Sequence, residues 1–423
     1  MGFEYINNII QGRCVGKSVS IRGWVYRIRK QKYAVFIILR DHSGIIQVVI
    51  KDEKMIKEAE KITIESSLEI SGTVRVDNRA PGGYEIDVSA FKIIGIAERF
   101  PIVKDQSEEF LREMRHLWIR SRKMTNTLKI RSAVFQAIRE FYMGKGFYEI
   151  QSPIFTSSAC EGGSTLFEVK FPNKDRKVYL SQSWQLYAEA MIYSLEKIFT
   201  IAPSFRAEKS HTIRHLAEYW HHEMEAAWMD FEELLKFQEE LIVFIAHYVA
   251  EKCGCELKEM GVDISRLKNL SSPFKRITYE QAIKKLGKKW GEDVTDVEER
   301  QLAAEAGGPV FLTHFPRELK AFYMRPDPKN QKVVLATDLL VPGVGEITGG
   351  SERIYDIKEL LESIKIFKLK KEDYEWYIDL RRYGTIPHSG FGLGIERLIM
   401  WLTGAAHIFE TIPFPRTIDR VYP

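Results

Sequence analysis

The first hundred residues alternate between apolar and polar side chains with a period of two. The apolar runs are rich in Val, Ile, Tyr and Phe and are separated by turn signals, a pattern that predicts strands. The predicted strands are Ser18–Arg27, Tyr33–Arg40, Ile45–Ile50, Ser67–Arg75 and Glu85–Ile94, with a helix over Lys51–Lys61. Five strands with a helix after the third is the order of an OB-fold β-barrel, which we predict for residues 1–97.

A polar stretch after Pro101 interrupts this pattern, and residues 98–121 are predicted to be a linker. Apolar residues at helical spacing then predict a long amphipathic helix over Arg122–Gly144. Further strands are predicted at Tyr148–Pro153, Val178–Ser181, Ile198–Phe205, Tyr219–Ala227, Val310–His314 and Val333–Leu340, and helices at Gln185–Ser194, Phe231–Cys253, Asp356–Leu361 and Lys371–Tyr383. Because most of these strands are joined by hairpin-like links, residues 122–423 are predicted to form a largely antiparallel sheet flanked by helices, an α+β fold.

Length and composition describe a globular protein of more than one domain. The chain has 423 residues, of which 45% are hydrophobic and 28% are charged. It contains no run of about 18 apolar residues and no basic N-terminal segment followed by an apolar stretch, so we expect neither a membrane span nor a signal peptide. The cysteines are few and scattered, which favours a reducing cytoplasm: Cys14, Cys160, Cys253 and Cys255. The net charge of +4 is too balanced to indicate nucleic-acid binding by itself.

The segment from Phe205 to Trp228 carries the densest candidate chemistry. It reads as a hairpin whose returning strand places Tyr219, His221, Glu223 and Glu225 on one face, while Arg206 and Glu208 share a face of the outgoing strand. Such a surface suits an anionic phosphate, an aromatic base and a cationic amine together. The alternative is a solvated edge hairpin with mixed charges, and the segment alone leaves both interpretations open.

A second segment, near the C-terminus, alternates glycines at Gly390, Gly392 and Gly394 and leads into an apolar helix with Arg397 in its first turn. Alternate glycines on a strand allow a ligand or a backbone to approach closely, and a helix N-terminus with an arginine suits an anion. The segment lacks the parallel-strand unit and acidic partner of a dinucleotide-binding fingerprint. Glycines that merely allow tight packing are the alternative.

Basic and aromatic residues interleave in the first half of the predicted barrel. They are Arg22, Trp24, Tyr26, Arg27, Arg29, Lys30, Lys32, Tyr33, Phe36 and Arg40. Positive charge beside exposed rings is what single-stranded nucleic acid requires, because phosphates must be neutralised and bases stacked. An ordinary charged exterior of a barrel is the alternative.

Together these segments resemble the class II aminoacyl-tRNA synthetases, in the aspartyl, asparaginyl and lysyl subclass that has an N-terminal anticodon-binding OB-fold. The helix Arg122–Gly144 followed by Pro153 resembles motif 1, Phe205–Trp228 resembles motif 2, and Gly390–Arg397 resembles motif 3. Their order and spacing, with the OB-fold, cover nearly the whole chain. The resemblance implies ATP as substrate, Mg²⁺, tRNA as partner and a homodimer formed through motif 1.

The resemblance assigns the catalytic roles to Arg206 on the α-phosphate, Arg397 on the γ-phosphate and Glu346 on a Mg²⁺ that bridges phosphates. The other expected ATP contacts are Glu208 to the adenine amino group, Arg214 and His215 to the outer phosphates, Leu216, Gly394, and Tyr219 under the adenine, with Trp220 as its rival. Asp338 is expected as a second metal ligand. Relatives often have a serine ligand where this chain has Gly349, which leaves the number of metal ions open.

For the amino acid, the resemblance favours asparagine over aspartate. Ala188 stands where aspartyl enzymes have a lysine, and a carboxylate without a cation is strongly disfavoured. Glu223 would accept from the carboxamide NH₂ and Arg353 would donate to its carbonyl, while Glu161, with Gln185 nearby, would bind the α-amino group. The implied activity is that of an asparagine–tRNA ligase acting on L-asparagine, ATP and tRNA(Asn); an aspartate–tRNA ligase, discriminating or not, is the alternative.

In the OB-fold, Arg29, Phe36 and Gln47 match the positions that bind the central anticodon uracil. The tRNAs for aspartate and asparagine share that base, so this domain does not separate the two activities. Two other functions stay open, a synthetase-like regulator without catalysis and an asparagine-making ligase on the same fold.

The pair His221-His222 raises the question of zinc, but its spacing is not that of a helical zinc protease. His388 either lines the site or is an ordinary loop histidine; we expect the latter.

Overall fold

The computed structural model describes residues 2–157, 160, 166–172, 177–208 and 212–423. Two compact units divide the chain, Met1–Trp118 and Ile119–Pro423, and each is described by itself. No helix in the described ranges is both long enough and apolar enough to cross a lipid bilayer.

The first unit contains a closed barrel of five strands in the order β1-β2-β3-β5-β4, which confirms the predicted OB-fold. Its elements are α1 (Ile6–Ile10), β1 (Ser18–Gln31), β2 (Ala34–Arg40), β3 (Ile45–Ile50), α2 (Glu53–Ala59), β4 (Ser67–Val76) and β5 (Tyr84–Gly95), followed by α3 (Glu108–Glu113) and α4 (Arg115–Trp118). The alternation predicted for β2 is observed, because Val35, Ile37 and Leu39 are buried in the barrel core and Phe36 lies on the outer face. The helix after β3 begins where the Asp52 carboxylate accepts hydrogen bonds from the backbone N–H groups of Lys54 and Met55.

The second unit is built on an eight-stranded sheet in the order β12-β13-β16-β17-β18-β11-β10-β6. Only its outermost pairs, β12 with β13 and β10 with β6, are parallel, so the predicted largely antiparallel sheet is confirmed. Its strands are β6 (Tyr148–Glu149), β10 (Lys197–Phe205), β11 (Glu218–Ala227), β12 (Lys275–Thr278), β13 (Val310–Thr313), β16 (Ala336–Val341), β17 (Gly345–Glu352) and β18 (His388–Gly394).

Smaller sheets and the helices surround this central sheet. The short strands are β7 (Phe155–Thr156), β8 (Glu168–Val169), β9 (Val178–Leu180), β14 (Pro326–Asp327) and β15 (Asn330–Val334). The helices are α5 (Arg122–Gly144), α6 (Gln185–Leu195), α7 (Phe231–Lys252), α8 (Gly254–Glu259), α9 (Ser265–Lys268), α10 (Tyr279–Leu286), α11 (Asp296–Ala306), α12 (Ile357–Ile366), α13 (Glu375–Arg382) and α14 (Ile395–Thr403). The long helix predicted from apolar spacing is therefore confirmed as α5.

The second unit contains elements that the pattern did not predict, among them β12, α10 and α11, and it divides one predicted strand. The run predicted as one strand, Val333–Leu340, is divided, because β15 pairs with β14 in a separate small sheet while β16 enters the central sheet. Strand β17 was not predicted, since its glycines at 345, 349 and 350 have low strand propensity. It forms because β16 and β18 pair with it on both sides.

His222, in the middle of β11, turns into the core of the second unit and away from its neighbour His221. Its Nδ1 lies 3.0 Å from the Thr200 carbonyl and its Nε2 lies 2.8 Å from the Tyr142 hydroxyl, so Nδ1–H donates and Nε2 accepts. Burial lowers the pKa of His222 to about 3. Because adjacent strand residues point to opposite faces, His221 and His222 cannot share a metal ion.

This buried histidine predicts a pH dependence of stability. In the unfolded chain His222 titrates near 6.5, so below that pH the unfolded state binds one proton more than the folded state, and stability is lost as the pH falls. A His222→Gln variant keeps one donor and one acceptor without titrating. Between pH 6.5 and 5 the wild type should lose about 2 kcal/mol more than the variant, at roughly 1.4 kcal/mol per pH unit. Urea unfolding at a series of pH values measures this, and parallel pH curves for the two proteins would contradict it.

Candidate functional site

One cavity of about 660 Å³ in the second unit collects most of the predicted site residues. It lies along the central sheet and is lined by the β10–β11 hairpin, by β16, β17 and β18, and by the segment before β14. The predicted residues that line it are Gln185, Arg206, Glu208, Arg214, His215, Leu216, Tyr219, Glu223, Asp338, Glu346, Arg353, Gly394 and Arg397. Glu161, which was predicted to bind the α-amino group, lies outside the described residues.

Strand parity in β11 decides which side chains enter the cavity. Tyr219, His221 and Glu223 line it, as their shared parity predicted. Trp220 points to the other face, where its ring lies 5.7 Å from the ring of Phe135. Of the two rings considered for an adenine platform, the structure therefore brings only Tyr219 into the cavity.

The alternate glycines of β18 make room for side chains of the neighbouring strand. Gly390 pairs with Glu225 and Gly392 pairs with Glu223 in the antiparallel register of β18 and β11. A Cβ atom at residue 390 would overlap the Glu225 carboxylate, and one at residue 392 would overlap the His221 ring. The alternate glycines predicted that another group approaches this strand closely. The groups that do so are the Glu225 and His221 side chains of the neighbouring strand β11.

The prediction that Arg206 and Glu208 share one face of a strand is wrong. Strand β10 ends at Phe205, which pairs with Glu218, and both residues lie in the loop that follows. The Arg206 guanidinium nevertheless reaches the cavity, 5.7 Å from the centre of the Tyr219 ring and 4.0 Å from the Glu208 carboxylate. The two strands of the hairpin stop pairing where the loop begins, and the alternation of residue types in the sequence does not mark that point.

The loop residues Arg214 and His215 lie deeper than a solvated loop would place them. Arg214 is buried and its guanidinium forms an ion pair with Glu299 of α11. Burial, together with Arg397, Arg214 and Arg206, lowers the pKa of His215 to about 4, so its imidazole is neutral at pH 7. The partner Glu299 was missed, because nothing in the local pattern of α11 marks this glutamate among its acidic neighbours.

Arg397 and Glu346 form the next part of the cavity. Arg397 Nη1 donates to the Glu346 carboxylate at 2.9 Å and to the Glu346 carbonyl at 3.1 Å. Although burial opposes ionisation, Arg397, Lys320 and Arg214 hold the pKa of Glu346 at about 2. Glu346 is therefore an ionised oxygen donor, which is the ligand type that Mg²⁺ prefers.

Asp338 and Glu346 face the same space above Gly349. A Cβ atom at residue 349 would lie 3.3 Å from Glu346 Oε1 and 3.4 Å from Asp338 Oδ1. Both side chains offer the oxygen donors that a divalent cation prefers. Burial and the neighbouring Glu346, against the effect of Lys320, raise the pKa of Asp338 to about 7. Asp338 is also bound by Lys320, whose Nζ lies 2.6 and 2.8 Å from its two oxygens. Lys320 was missed from the sequence, because a single lysine in a loop carries no signal of a buried partner.

The far end of the cavity contains Glu223 and Arg353. The Glu223 carboxylate accepts from the Ser183 hydroxyl, from the Trp184 backbone N–H at 2.9 Å, and lies 3.3 Å from His221 Nδ1. Although burial opposes ionisation, His221 and these donors hold the pKa of Glu223 below its ordinary value. A buried acceptor and a buried guanidinium therefore line the same cavity.

Arg353 is held almost completely by protein groups. Its Nε and Nη2 donate to the two oxygens of Glu225 at 3.1 Å each, and Nη1 donates to the Ser351 hydroxyl at 2.7 Å. Nη2 also donates to the Gln185 side-chain carbonyl. Because the guanidinium has five N–H groups and these are four bonds, one N–H of Nη1 takes part in none of them, and Arg353 lines the cavity.

Two predicted positions need correction. Ala188 does not line the cavity; it is fully buried in an apolar cluster with Trp184, Ile192, Ile198 and Ala227. Residue 188 thus supplies no cation to the cavity, as predicted. The Ala188 side chain itself does not line the cavity. His388 is not a loop residue, because it opens β18, is fully buried and lies 2.9 Å from the Glu189 carboxylate.

The three residues predicted to contact an anticodon lie in the barrel unit. Arg29 and Phe36 are cross-strand partners in β1 and β2, with the guanidinium 4.8 Å from the ring centre. Gln47, in the adjacent strand β3, donates to the Glu85 carboxylate at 3.0 Å. They form a basic and aromatic patch on the outer face of the barrel.

Comparison with protein families gives two matches along the chain. A family described as tRNA synthetases class II (D, K and N) matches residues 107–418. An OB-fold nucleic acid binding domain matches residues 19–94.

Individual proteins resemble nearly the whole chain. An asparagine–tRNA ligase of Thermoplasma acidophilum is 48% identical over 419 residues, 97% of each chain. The crystal structure of asparaginyl-tRNA synthetase from Pyrococcus horikoshii complexed with asparaginyl-adenylate superposes with a TM-score of 0.96 at 42% identity, over 100% of both chains. An aspartyl-tRNA synthetase from Entamoeba histolytica is more distant, with a TM-score of 0.85 and 25% identity over 100% of this chain and 93% of that one.

The glycine packing in β18 predicts a large steric penalty. A Gly390→Ala variant should lose about 3 kcal/mol of stability, because its methyl group would overlap both the Glu225 carboxylate and the Met224 carbonyl. Gly308→Ala, at a residue with open space around it, is the matched control and should change stability by less than about 0.5 kcal/mol. Urea unfolding of both variants measures the difference, and equal stabilities would contradict the packing argument.

Proposed function

The chain belongs to the class II tRNA synthetases of the aspartate, lysine and asparagine group, and we propose that it is an asparagine–tRNA ligase. It activates L-asparagine with ATP and transfers it to the 3′ end of tRNA(Asn). The single observation that carries this is one cavity lined both by Arg206, Arg397 and an ionised Glu346 and by the buried side chains of Glu223 and Arg353. Such a cavity suits a nucleotide beside an amino acid whose side chain both accepts and donates hydrogen bonds.

The nucleotide half of the proposal assigns charge to phosphate and a ring to adenine. Tyr219 is the platform for adenine, and Glu208 accepts from its amino group. Arg206 holds the α-phosphate, while Arg397, Arg214 and His215 face the outer phosphates. Guanidinium groups suit this role because they bind phosphate oxygens in pairs and keep their charge at every physiological pH.

The reaction needs no protein nucleophile. A carboxylate oxygen of asparagine attacks the α-phosphorus, a new P–O bond forms, and the bond to pyrophosphate breaks. The terminal ribose hydroxyl of the tRNA then attacks the acyl carbonyl, and AMP leaves. Positioning by Arg206 and the neutralisation of developing negative charge supply the catalysis.

Glu346 and Asp338 are the residues that would hold Mg²⁺, with Gly349 contributing no side-chain ligand. The ion, when bound, supplies charge neutralisation between phosphates. Lys320 is a second cation at Asp338, and it keeps that carboxylate compensated.

Selection of asparagine rests on complementary hydrogen bonding. Glu223 accepts from the carboxamide NH₂ and the remaining N–H of Arg353 donates to the carboxamide oxygen. Residue 188 supplies no lysine to the cavity. A bound aspartate carboxylate would therefore share the cavity with the Glu223 carboxylate, and Arg353 would be the one cation beside it among the described residues. Gln185 lies at the same end and faces the α-amino group.

The other parts of the molecule complete the proposal. Residues 1–97 form the anticodon-binding domain, residues 98–121 the linker and residues 122–423 the catalytic domain. The protein acts as a homodimer through helix α5 and the residues that follow it. We also propose a cytoplasmic location, which the four free cysteines support.

The amino-acid assignment is tested by ATP–pyrophosphate exchange. The wild type should exchange with asparagine and not with aspartate. In Glu223→Gln, the KM for asparagine should rise about 10-fold or more, because a buried charged hydrogen bond worth roughly 1.5–3 kcal/mol is lost. The KM for ATP should stay within about 2-fold of the wild-type value. Equal rises of the two KM values would instead indicate that Glu223 has a structural role. Exchange of the wild type with aspartate alone would refute the proposed function.

The anticodon assignment is tested with Phe36→Ala. Loss of one stacked base costs roughly 1–3 kcal/mol, so kcat/KM for tRNA(Asn) should fall about 10-fold or more. Amino-acid activation without tRNA should be unchanged, because the variant lies in the other unit. Tyr5→Ala, at an exposed aromatic residue of the same unit outside the predicted nucleic-acid surface, is the control and should leave aminoacylation unchanged. A Phe36 variant with normal aminoacylation would contradict the assignment.

A further inference from the structure

A fully buried carboxylate, Glu189, lies behind the amino-acid end of the cavity and is not among the residues assigned above. It accepts from the Tyr377 hydroxyl at 2.7 and 2.8 Å, from Gln185 Nε2 at 2.8 Å, and from the Arg381 guanidinium. His388 Nε2 lies 2.9 Å from it. Tyr377, Gln185 and Arg381 thus all donate to one carboxyl, and the Arg381 guanidinium favours its ionised form.

Glu189 reaches Arg353 through one side-chain amide. Gln185 donates from Nε2 to Glu189 and accepts at Oε1 from Arg353 Nη2. A flipped amide would place its NH₂ against the guanidinium, so Glu189 fixes the orientation of Gln185. Arg353 is therefore held from two sides, by Glu225 directly and by Glu189 through Gln185.

Each buried guanidinium at this end of the cavity is already paired with a carboxylate. Arg353 is paired with Glu225 and Arg381 is paired with Glu189. Glu223 adds a further carboxylate that lines the cavity. Glu225 thus compensates the positive charge of Arg353 before any substrate enters. In the part of the chain that the structure describes, a substrate carboxylate would find no unpaired guanidinium there and would share the cavity with the Glu223 carboxylate.

We propose that Glu189 is a specificity-determining residue that positions Gln185 and Arg353 and makes the cavity favour a carboxamide over a carboxylate. The proposal rests on the proposed function. Glu189 does not touch the substrate. Its fixed negative charge, one amide away from Arg353, prevents that guanidinium from acting as an uncompensated anion site.

The test is the ratio of kcat/KM for asparagine to kcat/KM for aspartate in ATP–pyrophosphate exchange. Glu189→Gln removes one negative charge at nearly constant volume, and the ratio should fall about 10-fold or more, chiefly because aspartate activation rises. A ratio equal to that of the wild type, with both activities lowered together, would overturn the proposal. Glu239→Gln is the matched control: it removes another buried carboxylate, on α7, whose partner is the Phe274 backbone N–H, and its ratio should not change.

A second variant guards against misfolding, because Glu189→Gln leaves Arg381 without its carboxylate. Glu189→Asp keeps the charge but withdraws it from Gln185 by one methylene group. A lowered ratio in this variant supports the proposal, and a ratio equal to that of the wild type overturns it. If the wild type exchanges only with aspartate, the proposed function itself fails. If it exchanges with asparagine and either variant keeps the wild-type ratio, only this inference fails.

Discussion

A charge that is buried without a partner costs several kcal/mol, and the cavity of the second unit depends on meeting this constraint at its buried arginines. Arg381 and Glu189 have fully buried side chains, and Arg353 and Glu225 are 3% and 0% exposed. Breaking such a pair leaves an uncompensated charge, which costs about 3–5 kcal/mol. These pairs therefore fix the geometry of the amino-acid end before a substrate binds.

The nucleotide end meets the same constraint in a different way. Arg206 and Glu208 are 31% and 33% exposed and stand 4.0 Å apart, and Arg397 with Glu346 is also partly exposed. Partly solvated pairs are weak and are readily exchanged for another anion. The cavity thus combines fully buried ion pairs with partly solvated ones. This division suits a reaction in which positioning and charge stabilisation supply the catalysis.

The central sheet connects the two ends through the pairing of β11 with β18. Tyr219, His221 and Glu223 enter the cavity because they share strand parity, and Gly390 and Gly392 leave the space that their neighbours occupy. A side chain on β18 would displace the carboxylate that holds Arg353. The glycines of β18 thus help to position the charged side chains of β11.

Local patterns in the sequence determined the barrel, helix α5, the parity of β11 and the glycine-rich strand, because period and turn chemistry are properties of neighbouring residues. The tertiary structure alone decided that β17 is a strand, that Trp220 leaves the cavity, and that Ala188 lies in an apolar cluster. It also decided the partners of the buried charges. Glu299 is 85 residues from Arg214 and Glu189 is 192 residues from Arg381. Burial of charge becomes visible only when such distant segments pack together.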